Sequence, residues 1–315
     1  MPATDTVRRA VVPSLAKINL DLRVLHKRPD GFHELRTIFQ TISLADRITI
    51  EYTPGAKKTL SIAGNVDIPN NLILRAAEAI LKKTKAKGAI RFELDKQIPL
   101  GGGLGGGSSN AAAVLLALPV LLGGKPLPLP KLHDLAADLG SDVPFFLYGG
   151  TALGLGRGTE LYPLSDVLPA RGLLVTPPVH VSTPAAFEAL NRETGGTAPA
   201  IYLNPQEWEA CGKNDFESAV YAQHPELRRA ASALKRAGAS TIRMSGSGSS
   251  IFGIFPTPYP HFDKVAEGAA MKLFKGFPSR PLAFVTRRQY QSLWWNCLKR
   301  HTLVKVWPPL SRYER

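Results

Sequence analysis

Apolar and polar residues alternate strictly from Ala16 to Val24, with Ala16, Ile18, Leu20, Leu22 and Val24 on one face and Lys17, Asn19, Asp21 and Arg23 on the other. A period of two predicts a half-buried strand, and it sets Lys17 and Asn19 side by side, either converging on a ligand or meeting solvent. The period then lengthens. Leu72, Ile73, Ala76, Ala77, Ile80 and Leu81 predict a helix over 71–83, and Ser108–Leu118 predicts an alanine- and leucine-rich one. Leu132, Leu135, Ala136 and Leu139 predict a third helix, ended by Gly140, which leaves Asp142 on the connector Ser141-Asp142-Val143-Pro144. The second half predicts a strand at Leu173–Val175, a helix after Pro184 and a helix from Pro225 to Arg236 with proline at its first position. A strand at Ile251–Phe255 and a helix near 263–274 follow. Strands and helices interleave without a regular repeat, which argues for an α+β fold with a domain boundary near 150–170.

At 315 residues and 44% hydrophobic, the chain has enough apolar material for one large domain or two ordinary ones. Its longest apolar stretch, Val114–Leu122, contains Pro119 and falls short of the roughly 20 residues a bilayer span needs. Lys17 interrupts the apolar segment after Arg8 and Arg9 before a signal-peptide core develops, and Met1–Val12 lacks transit-peptide composition, so a cytoplasmic location is expected. Cys211 and Cys297 lack zinc-site spacing and are expected to be free thiols.

The formal net charge of +14 suits either a nucleic-acid binder or a protein handling phosphorylated ligands. Much of it is local, because residues 287–315 hold seven Lys or Arg against the single acid Glu314. That tail also holds Trp294, Trp295 and Trp307, and reads either as an arm for RNA or a membrane surface or as an irregular extension packed on or trailing from the core.

Pro99-Leu100-Gly101-Gly102-Gly103-Leu104-Gly105-Gly106-Gly107-Ser108-Ser109-Asn110 is the most informative segment, since six of the seven residues from Gly101 to Gly107 are glycine directly before a helix. Such a loop brings backbone N–H groups close to an anion, and the helix terminus adds donors and a positive dipole, so phosphate is the natural ligand. A dinucleotide fingerprint is disfavoured because no second strand ends in an acid about 20 residues on. A Walker A loop is disfavoured because Gly107 stands at its lysine position.

The loop resembles the central motif of the GHMP kinases. Pro13-Ser14-Leu15-Ala16-Lys17-Ile18-Asn19-Leu20 resembles their N-terminal motif, and Met244-Ser245-Gly246-Ser247-Gly248-Ser249-Ser250 their C-terminal glycine motif. The resemblance implies a GHMP kinase N-terminal ATP-binding domain over 13–160 and a C-terminal domain of ferredoxin-like arrangement over 161–288, with the active site between them. Residues 1–12 and 289–315 are then extensions, and activity is expected to survive truncation after Arg288.

The resemblance also implies roles. Asp142 accepts the proton of an acceptor hydroxyl, although a carboxylate on such a turn also serves as a simple cap. Lys17 keeps Asp142 ionised and stabilises the transferring group, and Asn19 orients the hydroxyl. Pro99–Ser109 surrounds the phosphates of ATP, Asn110 adds a polar contact, and Asn71 and Lys96 lie near the adenine. Mg²⁺ is held by phosphates and water, with no protein ligand assigned. Within the family, the triple-glycine form Gly101–Gly107 with Arg28-Pro29-Asp30-Gly31-Phe32-His33-Glu34-Leu35 and Gly140–Phe146 resembles the members whose acceptor is a cytidine diphosphate ester of non-mevalonate isoprenoid synthesis, and the resemblance implies that acceptor here. Phe32 and His33 then pack and hydrogen-bond cytosine, and Phe187 closes its other face; Pro178 and Thr183 lie in the same region. No nucleic-acid or membrane partner is implied, and no oligomeric state follows. Two rivals stand: a GHMP kinase for mevalonate, homoserine or a sugar, which has no reason to keep Phe32-His33, and a nucleic-acid-binding protein using the basic tail.

Overall fold

Alternation marks only the middle of the first strand. In the computed structural model, which describes residues 6–125, 127–190, 207–256 and 277–313, β1 runs Arg8–Lys27 and pairs antiparallel with β2, His33–Pro54. Residues 8–12 are therefore part of the sheet, with Ala10 and Val12 buried, and not the extension expected from the sequence. Pro13 hides the continuity, but β1 is an edge strand, where a missing N–H is tolerated.

The other edge of β2 is divided. Residues 47–54 pair with β4 (Gly88–Asp95), and residues 35–40 pair with β5 (Thr151–Gly156). β3 (Lys58–Gly64) lies parallel outside β4, and β6 (Glu160–Pro163) antiparallel outside β5, giving a six-stranded sheet. Helices α1 (Leu72–Thr84), α2 (Gly106–Leu122), α3 (Leu129–Leu139) and α4 (Phe145–Tyr148) pack with this sheet. Ala111 to Leu118 of α2 are all buried, which is where a helix apolar on every side belongs.

β7 (Arg171–Val175), β8 (Thr241–Met244), β9 (Ile251–Ile254) and β10 (Ser279–Ala283) form a second, antiparallel sheet in the order β10-β7-β9-β8. That order is the ferredoxin-like one anticipated for the C-terminal domain. Helices α5 (Thr183–Leu190), α6 (Trp208–Cys211), α7 (Glu217–Gln223) and α8 (Pro225–Arg236) belong to this half, with α8 against β8 and β9. The helix predicted near 263–274 lies outside the described residues. Ile18 and Leu20 of β1 share a core with Leu174, Phe252 and Ile254, so the first strand joins the two halves.

The tail differs from its expectation. Helix α9 (Arg287–Leu298) begins with a capping box at Thr286 and Gln289 and returns to the first sheet. Tyr290, Trp294 and Leu298, spaced four apart on one stripe, are 2%, 1% and 0% exposed in the same core as α2 and β1. Ser311 Oγ then donates to Val120 O, His301 Nε2 lies 3.0 Å from Arg9 O, and the Arg8 guanidinium sits 3.9 Å from the centre of the Tyr313 ring. Residues 287–313 are thus part of the N-terminal half, and truncation after Arg288 would open its core. Among the described residues no helix is long and apolar enough to cross a membrane.

Candidate active site

Three segments far apart in sequence meet where the halves join. Lys17 N–H of β1 donates to Leu104 O of the glycine loop, and Ser245 Oγ donates to Gly103 O and Ser250 N–H to Gly102 O. Gly246 N–H donates to Asn19 Oδ1. The close fit explains one glycine in particular: at Gly103, φ is +74°, and a Cβ would strike the Ser245 carbonyl and come within 3.0 Å of Gly248 O. Asn214 holds the C-terminal turn from below, donating to Met244 O and Gly246 O.

The polar face of β1 is not solvated. Lys17 and Asn19 are 3% and 1% exposed, closed over by the glycine loop and the Ser245–Gly248 turn. Lys17 Nζ donates to Asn19 Oδ1 at 2.7 Å and stands 3.5 Å from Asp142 Oδ2. Asn19 Nδ2 donates to Thr37 Oγ1, whose hydroxyl donates to Asp21 O, so the amide is held from both ends. Asp142 is the more open of the ionic pair and faces a cavity of about 650 Å³.

Gly103, Gly105 and Ser108 line that cavity. The first N–H groups of α2, from Gly106 to Ser108, have no intrahelical acceptor by construction, an arrangement that favours negative charge at the helix start. Pro99, Leu100 and Gly101 form the outer rim of the loop, with Leu100 exposed, while Gly102, Leu104 and Gly106 are buried and Gly107 is exposed.

Four predicted nucleotide contacts have other occupations. Ser109 accepts from Ser14 Oγ, and Asn110 Nδ2 donates to Ser14 Oγ and to Asp46 Oδ2. Lys96 Nζ donates to Asp46 Oδ2 at 2.6 Å and to Ile98 O, and burial pulls its pKa below the ordinary lysine value against the pull of Asp46. Asp46 also accepts the N–H groups of Gln97 and Ile98. This buried network supports the loop from beneath. Asn71 caps α1, accepting from Ile73 N–H, and lines a separate hollow of about 300 Å³ with Val66, Asp67 and Ile68.

Phe32, His33 and Phe187 all line the main cavity, but in a different grouping from the one expected. Phe32, in the bend just before β2, turns outward beneath Arg157, 4.5 Å from its ring centre, while His33, the first residue of β2, stacks on Phe187 at 4.4 Å. Burial first, and Lys27 second, lower the His33 pKa and favour its neutral ring. Thr183 Oγ1 lies 2.9 Å from Ser247 Oγ at the cavity edge, whereas Pro178 is not among the lining residues. Sequence reasoning missed Lys27 and Arg157 at the mouth, Thr37 behind Asn19, and Asp46. Only Arg157 carried a local signal, a cation between Gly156 and Gly158.

A six-stranded N-terminal unit with a glycine loop opening its central helix, a ferredoxin-like C-terminal unit, and a lysine and carboxylate facing the cavity at their junction define a two-domain small-molecule kinase architecture. Residues 71–150 match the GHMP kinases N terminal domain, and residues 198–267 match the GHMP kinases C terminal. The chain belongs to the GHMP kinase family. It is 48% identical to the 4-diphosphocytidyl-2-C-methyl-D-erythritol kinase of Solibacter usitatus over 98% of this chain and 99% of that one. It is 41% identical to the kinase of the same name from a Geobacter species over 76% of this chain and 87% of the relative. A crystal structure of 4-(cytidine 5'-diphospho)-2C-methyl-D-erythritol kinase superposes with a TM-score of 0.74 at 36% identity, covering 87% of this chain and 98% of that one. A homoserine kinase from Cytophaga hutchinsonii shares the fold, with a TM-score of 0.64 at 20% identity.

Proposed function

We propose that this protein transfers the γ-phosphoryl group of ATP to the 2-hydroxyl of 4-diphosphocytidyl-2-C-methyl-D-erythritol, in the cytoplasm, as a step of non-mevalonate isoprenoid synthesis. The observation that carries the reaction type is the pairing of Lys17 with Asp142 at 3.5 Å in a cavity also lined by Gly103, Gly105 and Ser108. Support for the acceptor comes from the 48%-identical relative of that name and from the neutral His33 beside Phe187, a polar edge and an apolar face of the kind a cytosine ring requires.

In this reading the acceptor hydroxyl lies against Asp142 and Asn19. Its proton passes to an Asp142 oxygen as the hydroxyl oxygen bonds to the γ-phosphorus, and the bond from that phosphorus to the β–γ bridging oxygen breaks, releasing ADP. Lys17, 3.5 Å from Asp142, sets positive charge beside the carboxylate and balances charge on the transferring group. The N–H groups at the start of α2 and of the glycine loop hold the phosphates, while Lys27 and Arg157 set positive charge at the mouth, where the diphosphate of the acceptor would lie. Mg²⁺ entering with ATP would supply charge neutralisation for the transfer. Among the described residues no group of three His, Cys, Asp or Glu side chains stands placed to hold a metal ion, and no protein ligand is assigned to it.

The test is direct: incubate the protein with Mg-ATP and the cytidine diphosphate ester and follow ADP and the 2-phosphate product. Turnover that Asp142→Asn lowers by roughly 10²-fold, with ATP binding retained, is expected. Equal turnover of homoserine or mevalonate would move the acceptor assignment, and near-wild-type turnover by Asp142→Asn would remove the base.

A further inference from the structure

Asp142 is not tightly fixed by its own side chain. Its contact with Lys17 is long at 3.5 Å, and the carboxylate is about one-third exposed, so its position depends on the turn that carries it. That turn runs directly into α4, which has only four residues, far too few to be stable alone. The last carbonyls of so short a helix need partners from elsewhere. They find them in the tail: Tyr290 Oη donates to Phe146 O at 2.5 Å, and Trp307 Nε1 donates to Leu147 O at 2.9 Å.

Packing fixes the same point. Gly149, just after α4, lies against the Tyr290 ring so closely that a Cβ there would strike it. Tyr290, Trp294 and Trp307 form one aromatic cluster, with ring centres 6.2 to 6.5 Å apart. On its opposite side α4 reaches the nucleotide loop, because the Phe146 ring lies 2.8 Å from where a Cβ on Gly105 would stand. One short helix thus links the tail to both the Asp142 turn and the first residues of α2.

From this juxtaposition we infer that the C-terminal segment 287–313 braces the catalytic turn, with Tyr290 and Trp307 as positioning residues that act through Asp142. The inference rests on Asp142 as the base. Displacing a reacting group by an ångström costs up to about 10²-fold, so loss of two anchoring hydrogen bonds, with an aromatic ring kept at each position, is expected to have a smaller, measurable effect.

The experiment uses the full chain with Tyr290→Phe, Trp307→Phe and both together, assayed well below their melting temperatures. The double variant is expected to lower kcat about tenfold, equivalent to roughly 1.4 kcal/mol on the barrier, with both KM values within about twofold of wild type. Placed in an Asp142→Asn background, the same pair is expected to lower the residual single-turnover rate by less than about twofold, since its target is already gone. Trp307→Phe alone, at a half-buried site, carries the test if Tyr290→Phe impairs folding. An unchanged kcat, or an equal loss in the Asp142→Asn background, would overturn the brace while leaving the base assignment standing. Wild-type turnover by Asp142→Asn itself would overturn the base and the brace together.

Discussion

Replacing Asp46 by Asn removes one charge from the network under the glycine loop while keeping its shape. Asp46 accepts four hydrogen bonds, from Lys96 Nζ at 2.6 Å, Gln97 N at 2.7 Å, Ile98 N at 2.8 Å and Asn110 Nδ2 at 2.9 Å. Its side chain is fully buried, and that of Lys96 is 3% exposed. Without the carboxylate, Lys96 either stays charged and unpaired, which in buried pairs costs about 3–5 kcal/mol, or loses its proton. Starting from the usual lysine value of 10.5, deprotonation at pH 7 costs about 1.36 kcal/mol per pH unit, or roughly 4.8 kcal/mol, which caps the penalty. The expected loss is therefore about 3–5 kcal/mol in urea unfolding at pH 7. Adding Lys96→Met removes the stranded charge and is expected to recover most of it, because an apolar replacement for a buried pair is often close to neutral. The strand end at Gln97 and Ile98 leads into Pro99, so the single variant is also expected to raise the KM for ATP about tenfold with little change for the acceptor. A single-variant loss under about 1 kcal/mol, or a double variant no more stable than the single, would refute this account of the network.

Lys17→Met keeps an unbranched chain on β1 but removes the charge beside Asp142, and kcat is expected to fall by about 10²-fold; an unchanged kcat with a raised KM would make Lys17 a ground-state binder. Gly103→Ala forces a Cβ into the Ser245 carbonyl at a φ that disfavours side chains, so the thermal shift on adding ATP is expected to vanish, and a full shift would contradict the fit of loop and turn. His33→Ala is expected to raise the acceptor KM by roughly tenfold or more while sparing the KM for ATP, as loss of a buried polar contact does. With the wild-type His33 pKa held below its usual 6.5, the neutral ring prevails above that pH, so acceptor KM should be flat from pH 7 to 8 and rise only below 6.5. A rise already between pH 7 and 8 would exclude neutral His33 as the contact.

Much of this molecule is legible in one dimension. The glycine loop before α2, the strand alternation around Lys17 and the Pro225 start of α8 are local events, set by backbone freedom, side-chain period and ring constraint, and all three stand in the fold where the sequence puts them. Even the stripe Tyr290, Trp294 and Leu298 was present in the sequence, although charge and tryptophan content make the tail read as either a binding arm or an irregular extension rather than a helix of the core. What the sequence does not contain is which surfaces are brought together. Asp46 looks like any acid between strand residues until the fold sets it against Lys96 and Asn110, 50 and 64 positions away. Arg157 is an unremarked cation until the return of β5 carries it over Phe32. Whether the polar face of β1 meets water or a ligand was decided by closure of the glycine loop and the Ser245–Gly248 turn across it. Such pairings depend on chain reversals over fifty residues or more, where no local period or propensity acts, and there tertiary packing alone decides whether a lysine is a solvated charge or half of a buried pair.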